Sequence, residues 1–247
     1  MKQHLNTLYV STQGAYLAKD GATVAVRIEK KVRLRLPLHN LDGIVCFGRV
    51  GASPSLLAAC AEAGVSVSFM SIYGKMQARV LGFTSGNVLL RRQQYRMSDS
   101  PEASLGIARS MIVAKIANCR TTLLRSARDT KDAIKEEILR NAADRLKSNL
   151  FQASKTDNLD SLRGTEGEAA STYFSAFNAM LIDCTSMRLE GRTRRPPQDP
   201  VNAMLSFLYV MLSHDVRSAC ESTGLDSQVG FLHRDRPGRP SLALDLM

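Results

Sequence analysis

No stretch of the 247-residue sequence reaches the roughly 18 uninterrupted apolar residues that a bilayer-spanning helix needs. The opening MKQHLNTLYV has no hydrophobic core of a secretory signal, so a cytoplasmic protein without membrane contact is expected. There is no internal repeat and no low-complexity tract. The five cysteines (Cys46, Cys60, Cys119, Cys184 and Cys220) are odd in number, scattered, and form no CxxC pair. They read as buried, reduced thiols rather than a disulfide frame or zinc site. HExxH, the GxxxxGK phosphate loop and GxGxxG are also missing. A Ser/His/Asp triad is not excluded, yet no GxSxG elbow supports one.

What is present is apolar and basic. Hydrophobic residues make up 44% of the chain against 23% charged, enough to close a core. The length suits one large or two moderate domains. Net charge is +10, which favours a polyanionic partner, nucleic acid first. Residues 1–95 hold twelve Lys or Arg against four Asp or Glu, and residues 96–247 twenty-one against nineteen, so most of the excess lies early. Basicity alone is shared by many proteins that bind no nucleic acid.

From Leu5 to about Tyr95 the hydrophobic period is two. Val24, Val26 and Ile28 alternate with Thr23, Ala25 and Arg27, and Val32, Leu34, Leu36 and Leu38 with Arg33, Arg35, Pro37 and His39. These predict half-exposed strands, with a type I′ hairpin signal at Asp20-Gly21 and a buried strand over Gly43 to Phe47. One helix is predicted from Ser53 as N-cap, with Pro54 in its first turn, to a stop at Gly64. Alternation resumes at Val65, Val67 and Phe69, with further short strands at Lys75 to Leu81 and Val88 to Leu90.

Beyond Pro101 the period becomes helical: Leu105, Ala108, Met111, Ile112, Lys115, Ile116 and Cys119 recur at three and four. A second amphipathic stretch runs from Lys131 to Leu150, a third helix from about Leu159 to Leu181, and a fourth begins at Asp199-Pro200. An irregular segment follows Gly224. The class is α+β, a mostly-β domain over 1–95 followed by an all-α domain over 96–247, with the seam near residues 91–101.

Three acids and bases stand out. Glu166 lies 3, 4, 7, 8 and 11 residues before Ala169, Ala170, Tyr173, Phe174 and Phe177, which puts a carboxylate on a buried stripe. Gly164 and Gly167 flank it, each costing about 1 kcal/mol of helix propensity unless something approaches the backbone closely. The alternative is an acid at a helix start, favoured by the dipole together with Glu168. His233 follows an apolar run and precedes Arg234, Arg236 and Arg239; a lone histidine is otherwise a hydrogen-bonded or surface residue. Asp245 is embedded in Leu242-Ala243-Leu244 and Leu246-Met247, where an ionised carboxylate needs a cation or a partner. One Glu, one His and one Asp suit Mg²⁺ or Mn²⁺ better than structural zinc. Arg188, Arg192, Arg194 and Arg195 form an arginine-rich loop able to fork onto phosphates or simply to stay solvated, and Arg236 and Arg239 would add charge beside His233.

LRGTEGEAASTYFSAF around Glu166, RRPPQDPVNAMLSFLY from Arg194 and GFLHRDRPGRPSLALDLM at the end resemble the family of CRISPR-associated protein one, the integrase/endonuclease of spacer acquisition. LNTLYVSTQGAYL, LPLHNLDGIVCFG and GNVLLRRQQYR are similar to its type I-C branch. The resemblance implies a homodimer built by the N-terminal β domain and a helical domain holding the metal site. It also implies assembly with CRISPR-associated protein two on double-stranded DNA, both spacer precursor and CRISPR repeat. Glu166, His233 and Asp245 then correspond to catalytic metal ligands for Mg²⁺ or Mn²⁺. In similar sequences the segment continues past DLM with a further acid that completes the site, so the resemblance implies that this chain is truncated at Met247. The implied reaction is attack of a DNA 3′-hydroxyl on a phosphodiester of the repeat. The rivals are a metal-dependent nuclease that uses water and a non-catalytic DNA-binding scaffold.

Overall fold

The computed structural model describes residues 6–80, 82, 87–182, 187–193 and 196–247, and the chain divides into two compact units. The first comprises residues 1–87 with 221–224. One of its sheets has the order β1 (Thr7–Val10), β5 (Gly43–Phe47), β7 (Ser66–Met70), β8 (Met76–Val80). The first three strands are parallel and β8 is antiparallel to β7. A parallel pair needs a crossover. Between β5 and β7 it is supplied by α1 (Pro54–Glu62), whose N-cap Ser53 accepts the Leu56 N–H at 3.2 Å. Leu81, the expected end of the last strand, lies outside the described residues.

The second sheet has the order β4 (Lys31–Pro37), β3 (Thr23–Ile28), β2 (Tyr16–Asp20), β6 (Gly51–Ala52). The expected alternation breaks in β3, where Val24, Ala25 and Val26 are all buried. An interior strand of a sheet can be covered on both faces, and alanine is small enough to fit under such a cover. Leu17, Val24, Ile44, Cys46, Leu56, Cys60 and Val67 join both sheets and α1 in one core. Burial, with Cys60 as a secondary cause, pushes the Cys46 thiol up to about 12. Burial pushes Cys60 to about 11, which keeps both thiols protonated and inert.

The hairpins correct the turn assignment. Asp20 pairs with Thr23, leaving a Gly21-Ala22 loop in which only Gly21 has positive φ (60°). That is the pattern of a type II′ turn, not I′. The loop with two positive φ values is the next one, between Ile28 and Lys31, at Glu29 (φ 50°) and Lys30 (φ 64°). Side chains with a Cβ pay roughly 1–2 kcal/mol each in this region. Replacing the pair by Asn-Gly is therefore expected to stabilise the protein by about 1 kcal/mol. A urea denaturation midpoint that stays put or falls would show that the two side chains return that strain through contacts of their own.

The second unit comprises residues 88–220 with 225–247, so the division falls ahead of the expected seam. Val88 to Leu90 open a helix, α2 (Val88–Ser98), instead of forming a strand. A short apolar run is ambiguous by itself, and the Arg, Gln and Met residues that follow are good helix formers. Ser100 caps α3 (Pro101–Asp129), which buries Ala108, Ile112, Ile116, Leu123 and Ala127. Asp132 caps α4 (Ala133–Lys155) by accepting the Ile134 and Lys135 N–H groups at 2.9 and 3.2 Å.

The helix expected to run to Leu181 is broken at Ala176 into α5 (Leu159–Ser175) and α6 (Phe177–Met180). The Asn178 amide bonds both the N–H and the carbonyl of Leu189, at 2.9 and 2.8 Å, which ties this stretch to the returning chain. Asp199 starts α7 (Pro200–Ser222), accepting the Asn202 N–H at 2.7 Å. The segment after Gly224 contains one helix, α8 (Ser241–Leu246), too short to register as a periodicity. Among the described residues no helix is long and apolar enough to cross a membrane.

Candidate active site

Asn158 caps α5 by accepting the Ser161 N–H at 2.8 Å, and the first-turn acid is Asp160. Glu166 stands about two turns further in, so the helix dipole does not account for it. Its side chain is 19% exposed, and its Oε1 accepts a hydrogen bond from Lys115 Nζ of α3 at 2.6 Å. A Cβ added at Gly164 or Gly167 would meet nothing within 4 Å, so within the protein nothing approaches these glycines closely.

His233 ends a short segment held from three directions. Asp245 of α8 is the first. Its Oδ2 accepts the Phe231 and Leu232 N–H groups at 2.6 and 2.9 Å. Its Oδ1 accepts the His233 N–H at 3.0 Å and lies 2.6 Å from His233 Nδ1. A carboxylate surrounded by N–H donors is an acceptor, so the imidazole donates from Nδ1, and Nε2 is the ring nitrogen that Asp245 does not engage. Gly230 permits this contact, since a Cβ there would stand 2.8 Å from Asp245 Oδ2 and 2.8 Å from Ser241 Cβ.

Gln94 of α2 is the second. Fully enclosed, it donates to the Asp226 and Val229 carbonyls at 2.8 and 2.9 Å and accepts the Asp226 N–H at 2.8 Å. The neighbouring Tyr95 hydroxyl donates to Asp226 Oδ2 at 2.9 Å, and that bond raises the Tyr95 pKa. Arg163 is the third, donating from Nε to the Leu232 carbonyl at 2.8 Å while also pairing with Asp160.

Asp245 is the most enclosed of the three predicted site residues. Its side chain is 0% exposed, and both its oxygens accept N–H groups of residues 231–233. Among the described residues, no three His, Cys, Asp or Glu side chains cluster closely enough to hold a metal. Glu166 and His233 remain suitable. A glutamate oxygen and an imidazole Nε2 whose other nitrogen is tied to a buried carboxylate are the donors a hard divalent cation accepts, with water or phosphate oxygens supplying the rest.

His233 opens onto a hollow of about 310 Å³ lined by Asp160, Arg163, Arg234, Arg236 and Arg239. Arg236 and Arg239 thus share this hollow with His233. The arginine loop is not all free: Arg192 donates to Asn202 Oδ1 at 2.8 Å and to its neighbour's carbonyl, and stacks 5.4 Å from the Tyr209 ring. Arg188 is exposed and lines no part of the hollow. Arg194, Arg195 and Cys184 lie outside the described residues. Sequence reasoning passed over Lys115, Gln94 and Arg163. Two left a signal: Arg163, one helical turn before Glu166 on the same face, and Lys115, a charge within the apolar period of its helix.

Residues 8–247 match the family described as CRISPR associated protein Cas1. The chain is 48% identical over 248 residues to CRISPR-associated endonuclease Cas1 1 of Chlorobaculum tepidum, covering 100% of this chain and 72% of that protein. Among solved structures, a Cas1 protein from Thermotoga maritima superposes with a TM-score of 0.75 at 25% identity, over 97% of this chain and 72% of the other. A chain of a Cas6-RT-Cas1–Cas2 complex shares the fold, with a TM-score of 0.74 at 24% identity, over 99% of this chain and 26% of that one. A match that runs through both units and includes Glu166, His233 and Asp245 leaves one conclusion: the chain belongs to the Cas1 family.

Proposed function

We propose that this chain is the DNA-cutting and DNA-joining enzyme of spacer acquisition, inserting a short duplex at a CRISPR repeat by attack of its 3′-hydroxyl on a phosphodiester. The observation that carries this reading is His233. Its Nδ1 is locked by buried Asp245, and the ring borders a hollow where four arginines face one aspartate. Arg236 and Arg239 have no ion pair among the described residues, so their guanidinium groups are available to a phosphodiester and to the charge that develops on its oxygens. Bound Mg²⁺ or Mn²⁺ would polarise the phosphate and lower the pKa of the attacking hydroxyl. Glu166 and His233 would hold it, and Asp245 would keep Nε2 in the ligating tautomer. No side chain needs to become a nucleophile, because one phosphodiester breaks as another forms.

Assembly follows the same reading: a homodimer through the first unit, joined by CRISPR-associated protein two on double-stranded DNA in the cytoplasm. Edge strand β4 supports the dimer, since Val32 (38%) and Leu34 (42%) are exposed on a strand with one free side. A second reading, a DNA-binding scaffold without chemistry, is favoured by the Lys115 ammonium already seated on Glu166.

Strand transfer of a labelled duplex into a repeat-bearing plasmid, with Mn²⁺ or Mg²⁺ and the partner protein, tests the assignment. Joined product from the wild type and none from Glu166→Gln is the expected result. Strands that are only shortened would move the reaction to hydrolysis by water. DNA retained with neither joining nor cutting would move the protein to the scaffold reading.

A further inference from the structure

Glu166, alone of the two proposed ligands, already carries a cation. Lys115 lies at the margin of the buried stripe of α3, between Ile112 and Ile116 in sequence, where a half-buried lysine is unusual unless paired. Those two isoleucines are 1% and 2% exposed and fix the helix, so the ammonium reaches Glu166 from an anchored backbone. The contact at 2.6 Å is a charge-assisted hydrogen bond between partly buried groups, 32% and 19% exposed.

The wider surroundings share the ammonium's sign. Arg163 stands one turn before Glu166 on α5, and Arg234, Arg236 and Arg239 complete a hollow in which Asp160 is the single acid. A divalent cation reaching Glu166 in the free protein meets an ammonium within hydrogen-bond range, with the Arg163 guanidinium one turn away on the same helix. It must displace the ammonium or sit beside it, and either is unfavourable until negative charge arrives.

We infer that Lys115 is the resident counter-ion of Glu166 and that divalent metal and DNA phosphate load the site together, each improving the affinity for the other. The inference rests on the proposed metal-binding role of Glu166. In the free protein the ion pair keeps metal affinity low. A phosphodiester in the hollow supplies the missing negative charge, and the released ammonium transfers from the carboxylate to a phosphate oxygen. Coupling of this kind is reciprocal: metal must tighten DNA by the same factor by which DNA tightens metal.

Mn²⁺ titrations by calorimetry, with and without a saturating short duplex, test this on the wild type, Lys115→Met, Lys115→Arg and Glu166→Gln. Without DNA, Lys115→Met is expected to bind Mn²⁺ about tenfold tighter than the wild type, and its gain on adding DNA to shrink by a similar factor. Lys115→Arg keeps the charge and should behave like the wild type. Lys115→Met binding no tighter than the wild type, or Lys115→Arg binding as tightly as Lys115→Met, overturns the counter-ion role. Glu166→Gln separates the two levels: Mn²⁺ binding that survives it rejects Glu166 as a ligand, while binding that it abolishes leaves the role of Lys115 to be decided by the other variants. If Lys115→Met does not fold, Lys115→Gln carries the same comparison.

Discussion

Replacing Asp245 by alanine is expected to cost about 3 kcal/mol of folding stability and about 10–100-fold in strand joining. The stability loss follows from four N–H groups that share one enclosed carboxylate: Phe231, Leu232 and His233 of the backbone and Nδ1 of the imidazole. Alanine leaves these donors without an acceptor in a place water does not reach, at roughly 1–3 kcal/mol for each that stays unsatisfied. The activity loss has a separate cause: without its acceptor the ring is free to rotate and to change tautomer. Asp245→Asn keeps the shape but turns an amide N–H toward a donor, so it should fall between alanine and the wild type. Urea denaturation of the three proteins reads the first effect. Alanine and wild-type curves that coincide would mean that this carboxylate does not cap the segment.

His233→Ala is expected to lower strand joining by about a thousandfold while changing DNA affinity by no more than about twofold. The separation follows from the proposed roles, in which Arg236 and Arg239 of the hollow supply the charges that hold DNA and the imidazole serves the chemistry. Fluorescence anisotropy with a labelled duplex and the joining assay, run on the same preparation, read the two effects. A parallel fall in both would make His233 a DNA contact. The double variant of His233→Ala and Asp245→Ala should join strands no worse than His233→Ala alone, since Asp245 acts through the ring and its effect vanishes with it. Additive losses would give Asp245 a role of its own and support its assignment as a ligand.

Much of the architecture was readable along the chain because the signals are local. The change of period from two to nearly four separated sheet from helix, and Ser53 and Asp199 marked helix starts where hydroxyl or carboxylate oxygens meet free N–H groups. Glu166 stood out as a carboxylate on an apolar stripe, and His233 as an imidazole among arginines. The failures were of another kind. Ala25 needed a cover from both sides, Glu29 and Lys30 took a turn normally given to glycine and asparagine, and α8 was too short to repeat.

What the sequence determined by itself is therefore the class of fold, most of the apolar faces and the starts of several helices, all of which depend on neighbours within a turn or a strand. What only the tertiary structure decided is which groups share atoms. Asp245, predicted to need a cation or another partner, meets four N–H groups. Lys115, 51 residues from Glu166, turned out to be its ion-pair partner, and Gln94 to be the clamp on residues 226–229, 132 and more positions away. A buried carboxylate or amide takes whichever partner the packing brings within about 3 Å, and sequence spacing carries no record of that distance.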